Sequence, residues 1–320
     1  MAMFRKREPV FDNLKLLCIL LVVLIHVLCT ATEFVGRWWY HALWGVIHSF
    51  TIPLFLVISG YLFKPRTLRY SLHHFVKPAI CFGLVNIALA FAFKPGYTWL
   101  HALAKGGYAM WYIQALAVYY VVFSFLTVDI RMSFAVTSLL AILVGFGFVK
   151  PSVCNLFHYI AFAPFFVMGI WARQSNWLDK LKGCPRRAIC SAAFVASLGA
   201  YVILSVVCRH VFYELPMWHV LGGSMRGFAL RLLGYLLCAV MSVALIGITP
   251  NRTFAFTKYG SRSYAVYLTH MMVIFPIGWG LLPHLEGWMY FVVLIALPLL
   301  CLPLFHATLS TWVLKFCNEK

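Results

Sequence analysis

The apolar residues of this chain fall in near-continuous runs of about 17–25, separated by short polar segments, and that spacing leaves few architectures open. A run of this length crosses a bilayer as an α-helix, in which every backbone N–H and C=O finds its partner within the segment. A membrane β-barrel would need strands of about ten residues with alternating polarity, which the runs do not show. Composition agrees: 63% of residues are hydrophobic, 11% are charged, and the mean hydropathy is +0.89. Soluble domains hold about 45–50% apolar and about 25% charged residues. The apolar content excludes a disordered chain. With 21 Gly and 10 Cys in 320 residues, collagen-like and disulfide-scaffold chains are excluded as well. The expected fold class is an all-α polytopic membrane protein.

Ten spans are expected, at 12–31, 42–63, 78–94, 109–127, 133–149, 157–172, 188–208, 228–248, 264–282 and 288–314. They explain the charge of +18. With the N-terminus inside, 18 of the 26 Lys and Arg fall in inner segments and 6 in outer ones. That bias orients the chain with both termini cytoplasmic. The basic surface therefore points to membrane lipid as a partner rather than to nucleic acid. The first apolar run is too long for a cleavable signal and is expected to serve as an uncleaved first span. The longest inner polar gap, 173–187, leaves no room for a soluble module, so 1–320 reads as a single membrane domain with no appended soluble domain. No internal repeat stands out, which counts against a transporter built from repeats.

Ionisable groups inside spans are costly and mark function. They are Asp12, Lys15 and His26 in span 1, His48 in span 2, Arg231 in span 8, His270 in span 9 and His306 in span 10. Asp12, Lys15, Ile19, Val22 and His26 share one helical stripe. Lys15 and His26 are eleven residues apart, roughly 16 Å of rise. Each group has a structural reading: Asp12 as a cap, Lys15 snorkelling, His26 bonded to a neighbouring helix. The functional reading is a neutral imidazole acting as general base. No Cys or His spacing suits zinc, so no metal is expected, and the cysteines read as small core residues. After span 2, Arg66 and Arg69 place two guanidinium groups three residues apart, suited either to phosphate or to anionic lipid. The segments Phe34–Tyr40, 97–108 and 212–219 are rich in aromatics, which suits interfacial anchoring or a sugar-stacking rim.

Four stretches, taken in order, resemble the acyltransferase 3 family of integral membrane O-acyltransferases, especially its small fucose 4-O-acetylase-like branch. They are FDNLKLLCILLVVLIHV (Phe11–Val27), HSFTIPLFLVISGYLF (His48–Phe63), MWYIQAL (Met110–Leu116) and YGSRSYAVYLTH (Tyr259–His270). Arg66-Thr67-Leu68-Arg69 is similar to the family's RxxR segment. The resemblance covers essentially the whole chain. It implies transfer of an acetyl group from cytoplasmic acetyl-CoA to a hydroxyl of a cell-surface or lipid-linked glycan, at the bacterial inner membrane. His26, with Asp12 and Lys15, is implied as catalytic. Lys15, Arg66 and Arg69 are implied at the acyl-CoA, and His48, Trp111, Tyr112 and His270 at the acceptor or in supporting roles. No permanently bound cofactor is implied; acetyl-CoA is a substrate. One position departs from the family pattern: Lys15 stands where Arg is common, keeping the charge but not the forked guanidinium. The competing class is a secondary transporter of a small polar solute or glycan intermediate. It is disfavoured because few carboxylates lie in the spans to couple cations.

Overall fold

The computed structural model describes residues 8–30, 37–94, 96–99, 101–102, 107, 109–126, 128–146, 155–181, 184–207, 225–306 and 308–318. These residues are helical, with no strand among them. Besides the short helix Trp177–Lys180 and the 3-10 and π turns, the helices are α1 (Pro9–Leu28), α2 (Trp38–Leu62), α3 (Leu68–Ser71), α4 (Lys77–Phe93), α5 (Trp111–Phe125), α6 (Ile130–Leu143), α7 (Leu156–Gln174), α8 (Cys184–Val207) and α9 (Met225–Ile248). They are followed by α10 (Thr257–Gly260), α11 (Ser263–Thr269), α12 (Met271–Ile274), α13 (Gly287–His306) and α14 (Thr308–Asn318). Among the described residues 7 helical stretches are long and apolar enough to cross a membrane. Three further apolar stretches, Trp111–Phe125, Ile130–Leu143 and Gly287–Leu299, are shorter.

α1 is held at both ends by other parts of the chain. Its first backbone donors have no partner within the helix. Asn251 supplies one, accepting from the Val10 N–H at 3.1 Å, while its own amide donates to Glu8. Asn13 donates to the Pro250 and Arg252 carbonyls and accepts from the Thr257 hydroxyl at 2.6 Å. Gly260 lies so close that a Cβ there would come within 1.7 Å of the Asp12 carbonyl oxygen. At the far end, the Leu28 carbonyl accepts from the Tyr40 hydroxyl at 3.0 Å. α1 also packs against α2, α11 and α13, so its sides as well as its ends are fixed.

The α2–α7 crossing is glycine-mediated. A Cβ on Gly60 would lie 1.9 Å from the Phe166 carbonyl oxygen, and one on Gly169 would lie 2.1 Å from that of Val57. Small residues of this kind let membrane helices approach backbone to backbone. Arg231 is buried where α6, α7 and α9 meet. Its Nε and Nη2 donate to the Ala141 carbonyl at 3.0 and 2.6 Å, and Nη2 also reaches the Tyr235 hydroxyl. Gly145 leaves room for it, since a Cβ there would meet the guanidinium at 2.8 Å. Hydrogen bonds and aromatic faces, including Phe157 and Tyr235, offset the cost of the buried charge. The described cysteines carry no disulfide, and Cys18, Cys190, Cys238, Cys301 and Cys317 are buried as core residues.

Two expected boundaries differ. Residues 64–77 read as a basic loop preceding a span at 78, yet helix begins at Leu68 and runs through a wide π turn, Leu72–Val76, into α4. Pro78 is the cause. It has no N–H for the carbonyl four residues earlier, and its ring crowds that carbonyl, so the turn widens. The last expected span, 288–314, is built of two helices, α13 and α14. The aromatic segments at 34–36 and 212–219 lie outside the described residues.

Candidate active site

Two histidines far apart in sequence meet inside the bundle. The ring centroids of His26 on α1 and His270, at the joint between α11 and α12, are 4.9 Å apart with an interplanar angle of 67°. His270 is completely buried. Each ring is anchored through its Nδ1. That of His26 lies 2.7 Å from the Val22 carbonyl, and that of His270 lies 2.6 Å from the Tyr267 carbonyl. A carbonyl oxygen only accepts, so in both rings Nδ1 carries the proton and donates. The lone pair is left on Nε2. Among the described residues His270 Nε2 has no hydrogen-bond partner.

The sequence explains the anchoring. In a helix, a histidine at i reaches the carbonyl of i−4 when its side chain folds back along the preceding turn. His48 repeats the arrangement on α2, with Nδ1 3.1 Å from the Trp44 carbonyl and its ring 4.8 Å from that of Trp44.

From His270 a run of rings leads to α5. Tyr267 lies 5.6 Å from His270, and Tyr112 lies 5.3 Å from Tyr267. The Tyr112 hydroxyl pairs with the Ser59 hydroxyl at 2.9 Å and reaches the Phe55 carbonyl at 3.4 Å. The Tyr267 hydroxyl donates to the Ala109 carbonyl at 2.6 Å. Trp111, adjacent in sequence, has different neighbours: His158 at 4.9 Å and Phe162 at 5.4 Å. The structure thus brings together His26, His270 and, through Tyr267, Tyr112, while His48 packs on Trp44 and Trp111 packs on α7.

At the other end of α1, Lys15 Nζ is 3.6 Å from Asp12 Oδ1, with Asp12 buried and Lys15 half-buried. This is the i,i+3 pair expected from spacing. Arg66 and Arg69 are exposed. The Arg66 backbone N–H donates to the Ser124 hydroxyl at 2.9 Å, fixing the segment to α5. A separate cleft of about 430 Å³ lies at the C-terminal ends of α2, α5 and α7, lined by residues including Lys64, Phe123 and Arg173 and by neither histidine.

Sequence reasoning did not single out His158, and it gave Ser59 and Tyr267 no role of their own. Ser59 and Tyr267 sit inside quoted motifs, three residues before the expected His270 in the second case, so the motif itself was the available signal. His158 had none, since its partner Trp111 lies on a different helix.

Apolar helices around a half-buried and a buried imidazole, each with its Nδ1 engaged by a carbonyl, make a multi-pass membrane protein equipped for proton or acyl transfer. The family model for the acyltransferase 3 domain matches residues 9–306, nearly the whole chain. The protein belongs to that family and is a membrane acyltransferase. No curated protein and no solved structure matches it.

Proposed function

We propose that the protein transfers an acetyl group from cytoplasmic acetyl-CoA to a hydroxyl of a cell-surface or lipid-linked glycan, as a small fucose 4-O-acetylase-like enzyme of the bacterial inner membrane with both termini cytoplasmic. One observation carries the reading: His26 is held by its Nδ1–H, so Nε2 is the nitrogen available for chemistry, and it stands beside a second imidazole also held through Nδ1 by a backbone carbonyl.

In this reading His26 Nε2 takes the proton of the acceptor hydroxyl as its oxygen attacks the thioester carbonyl. The C–S bond breaks, the ester forms, and the proton passes to the CoA thiolate. A general base of this kind contributes roughly 10²–10⁴-fold. The covalent alternative uses the same lone pair, with the acetyl group carried on Nε2 before transfer. His270, with its proton on Nδ1, offers Nε2 as an acceptor. It donates to a developing oxyanion only as an imidazolium, so in the neutral state its part is to accept from His26 once His26 Nε2 has taken the acceptor's proton. Asp12 holds Lys15 near the donor side, and Arg66 and Arg69 receive the CoA phosphates. Tyr112 and Trp111 offer flat faces to a sugar.

The test is the O-acetyl content of surface glycans, measured by mass spectrometry in a deletion strain carrying wild-type protein or His26→Ala at matched expression. Wild type is expected to restore a base-labile acetyl mass shift and His26→Ala is not. Equal restoration by both would remove His26 from the mechanism.

A further inference from the structure

Four flat groups stack in a column that begins at the exposed basic segment and ends on the helix leading to His270. Arg66 Cζ lies 5.0 Å from the centroid of the Tyr70 ring. Tyr70 stacks on His74 with centroids 4.9 Å apart and planes at 18°. His74 in turn stacks on Tyr264 at 5.3 Å and 4°. Tyr264 is on α11, the helix that runs directly into His270.

A hydrogen bond locks the lower end. The Tyr264 hydroxyl donates to the His74 backbone carbonyl. That carbonyl is open because position 78, four residues on, is proline and has no N–H to offer. Inside a membrane such a freed carbonyl needs a donor from elsewhere, and a tyrosine on the neighbouring helix provides it. The π turn at Leu72–Val76, the stack and the hydrogen bond therefore share one origin in Pro78.

We propose that Tyr70, His74 and Tyr264 are positioning residues. Their column ties the Arg66 guanidinium to the helix carrying His270, so that a donor gripped at the basic segment presents its thioester to the histidine pair. This rests on the acetyl-CoA reading above. The physical need is plain. Arg66 is exposed, and a long free side chain loses conformational freedom whenever it binds. Resting on Tyr70, the guanidinium has part of that freedom removed in advance. Its backbone N–H, held by Ser124, fixes the other side.

The experiment uses the purified full chain in lipid nanodiscs and compares His74→Leu, which keeps bulk but no flat face, with His74→Phe, which keeps the face. Two readouts are taken. The first is the mobility of a nitroxide attached at Leu68→Cys, an exposed neighbouring position, and it needs no donor. The second is KM and kcat for acetyl-CoA. His74→Phe is expected to match wild type in label mobility and to stay within about twofold in KM. His74→Leu is expected to loosen the label and raise KM about tenfold, the scale of one stacked contact. In an Arg66→Ala background the same His74→Leu change is expected to alter KM by less than about twofold, because the column then has nothing left to position. A merely structural histidine would give equal losses with Leu and Phe, and an effect undiminished by Arg66→Ala; either result overturns the proposal. If wild type neither binds nor uses any acyl-CoA, the acetyl-CoA reading falls. The label spectra still decide the column: mobility gained only in His74→Leu supports it, and mobility equal in all forms overturns it.

Discussion

His26 and His270 are fixed by backbone carbonyls within one helical turn of themselves, in the interior of the bundle, whereas Arg66 and Arg69 stand exposed on a segment held by a few contacts. The first region has its geometry set before any ligand arrives. The second is open, basic and accessible. The difference matches the division of labour in the proposed function: there the interior pair does chemistry, where a small displacement is costly, and the exposed pair captures an anion, where charge and reach matter more than placement to a fraction of an ångström.

Substitutions test that division, and the largest effect belongs to the interior. His26→Ala is expected to lower kcat roughly 10²–10⁴-fold, measured as acetyl transfer by purified protein, with little change in donor affinity. Next comes the seat on which α1 rests. Gly260→Ala pushes a methyl group against the Asp12 carbonyl and is expected to cost about 1–3 kcal/mol or more, read as a lower unfolding temperature in detergent. Gly199→Ala on α8, where a Cβ meets nothing within 4 Å, serves as the comparison and is expected to be neutral or slightly stabilising. At the exposed region, Arg66→Ala or Arg69→Ala is expected to raise KM for acetyl-CoA about tenfold with kcat nearly unchanged, and the loss should shrink as salt is added. Smallest is Tyr112→Phe. It removes the hydroxyl paired with Ser59 and Phe55 and is expected to cost about 0.5–1.5 kcal/mol of stability in the same unfolding measurement. A kcat loss at Arg66 as large as that at His26 would break the comparison.

Much of the fold could be read from the runs of apolar residues, because a bilayer enforces helices of a given length. The stripe from Asp12 to His26 followed from helical periodicity, and the structure places Lys15 against Asp12 as the spacing indicates. What periodicity does not carry is pairing between helices. Nothing in spacing says that His26 meets His270, that Tyr112 meets Tyr267, or that Trp111 instead faces His158. The helical turns that precede α4 were hidden for a different reason. Lys64, Arg66, Arg69, His73 and His74 read as a polar gap, yet helix starts at Leu68 because exposed Arg69 and half-buried His73 and His74 sit comfortably on it, and only Pro78 signals the local widening. Likewise Gly260 and Gly145 gave no signal by themselves. Their meaning lies in the Asp12 carbonyl and the Arg231 guanidinium that approach them.

The most direct test of the division between chemistry and capture is a titration of His26→Ala and wild-type protein with a thioether analogue of acetyl-CoA that cannot transfer its acyl group, paired with turnover of acetyl-CoA itself. The expected result is equal affinity for the analogue and turnover at least about a hundredfold lower in the variant. Affinity lost together with turnover would make His26 a donor-binding residue, and unchanged turnover would place the chemistry elsewhere in the protein.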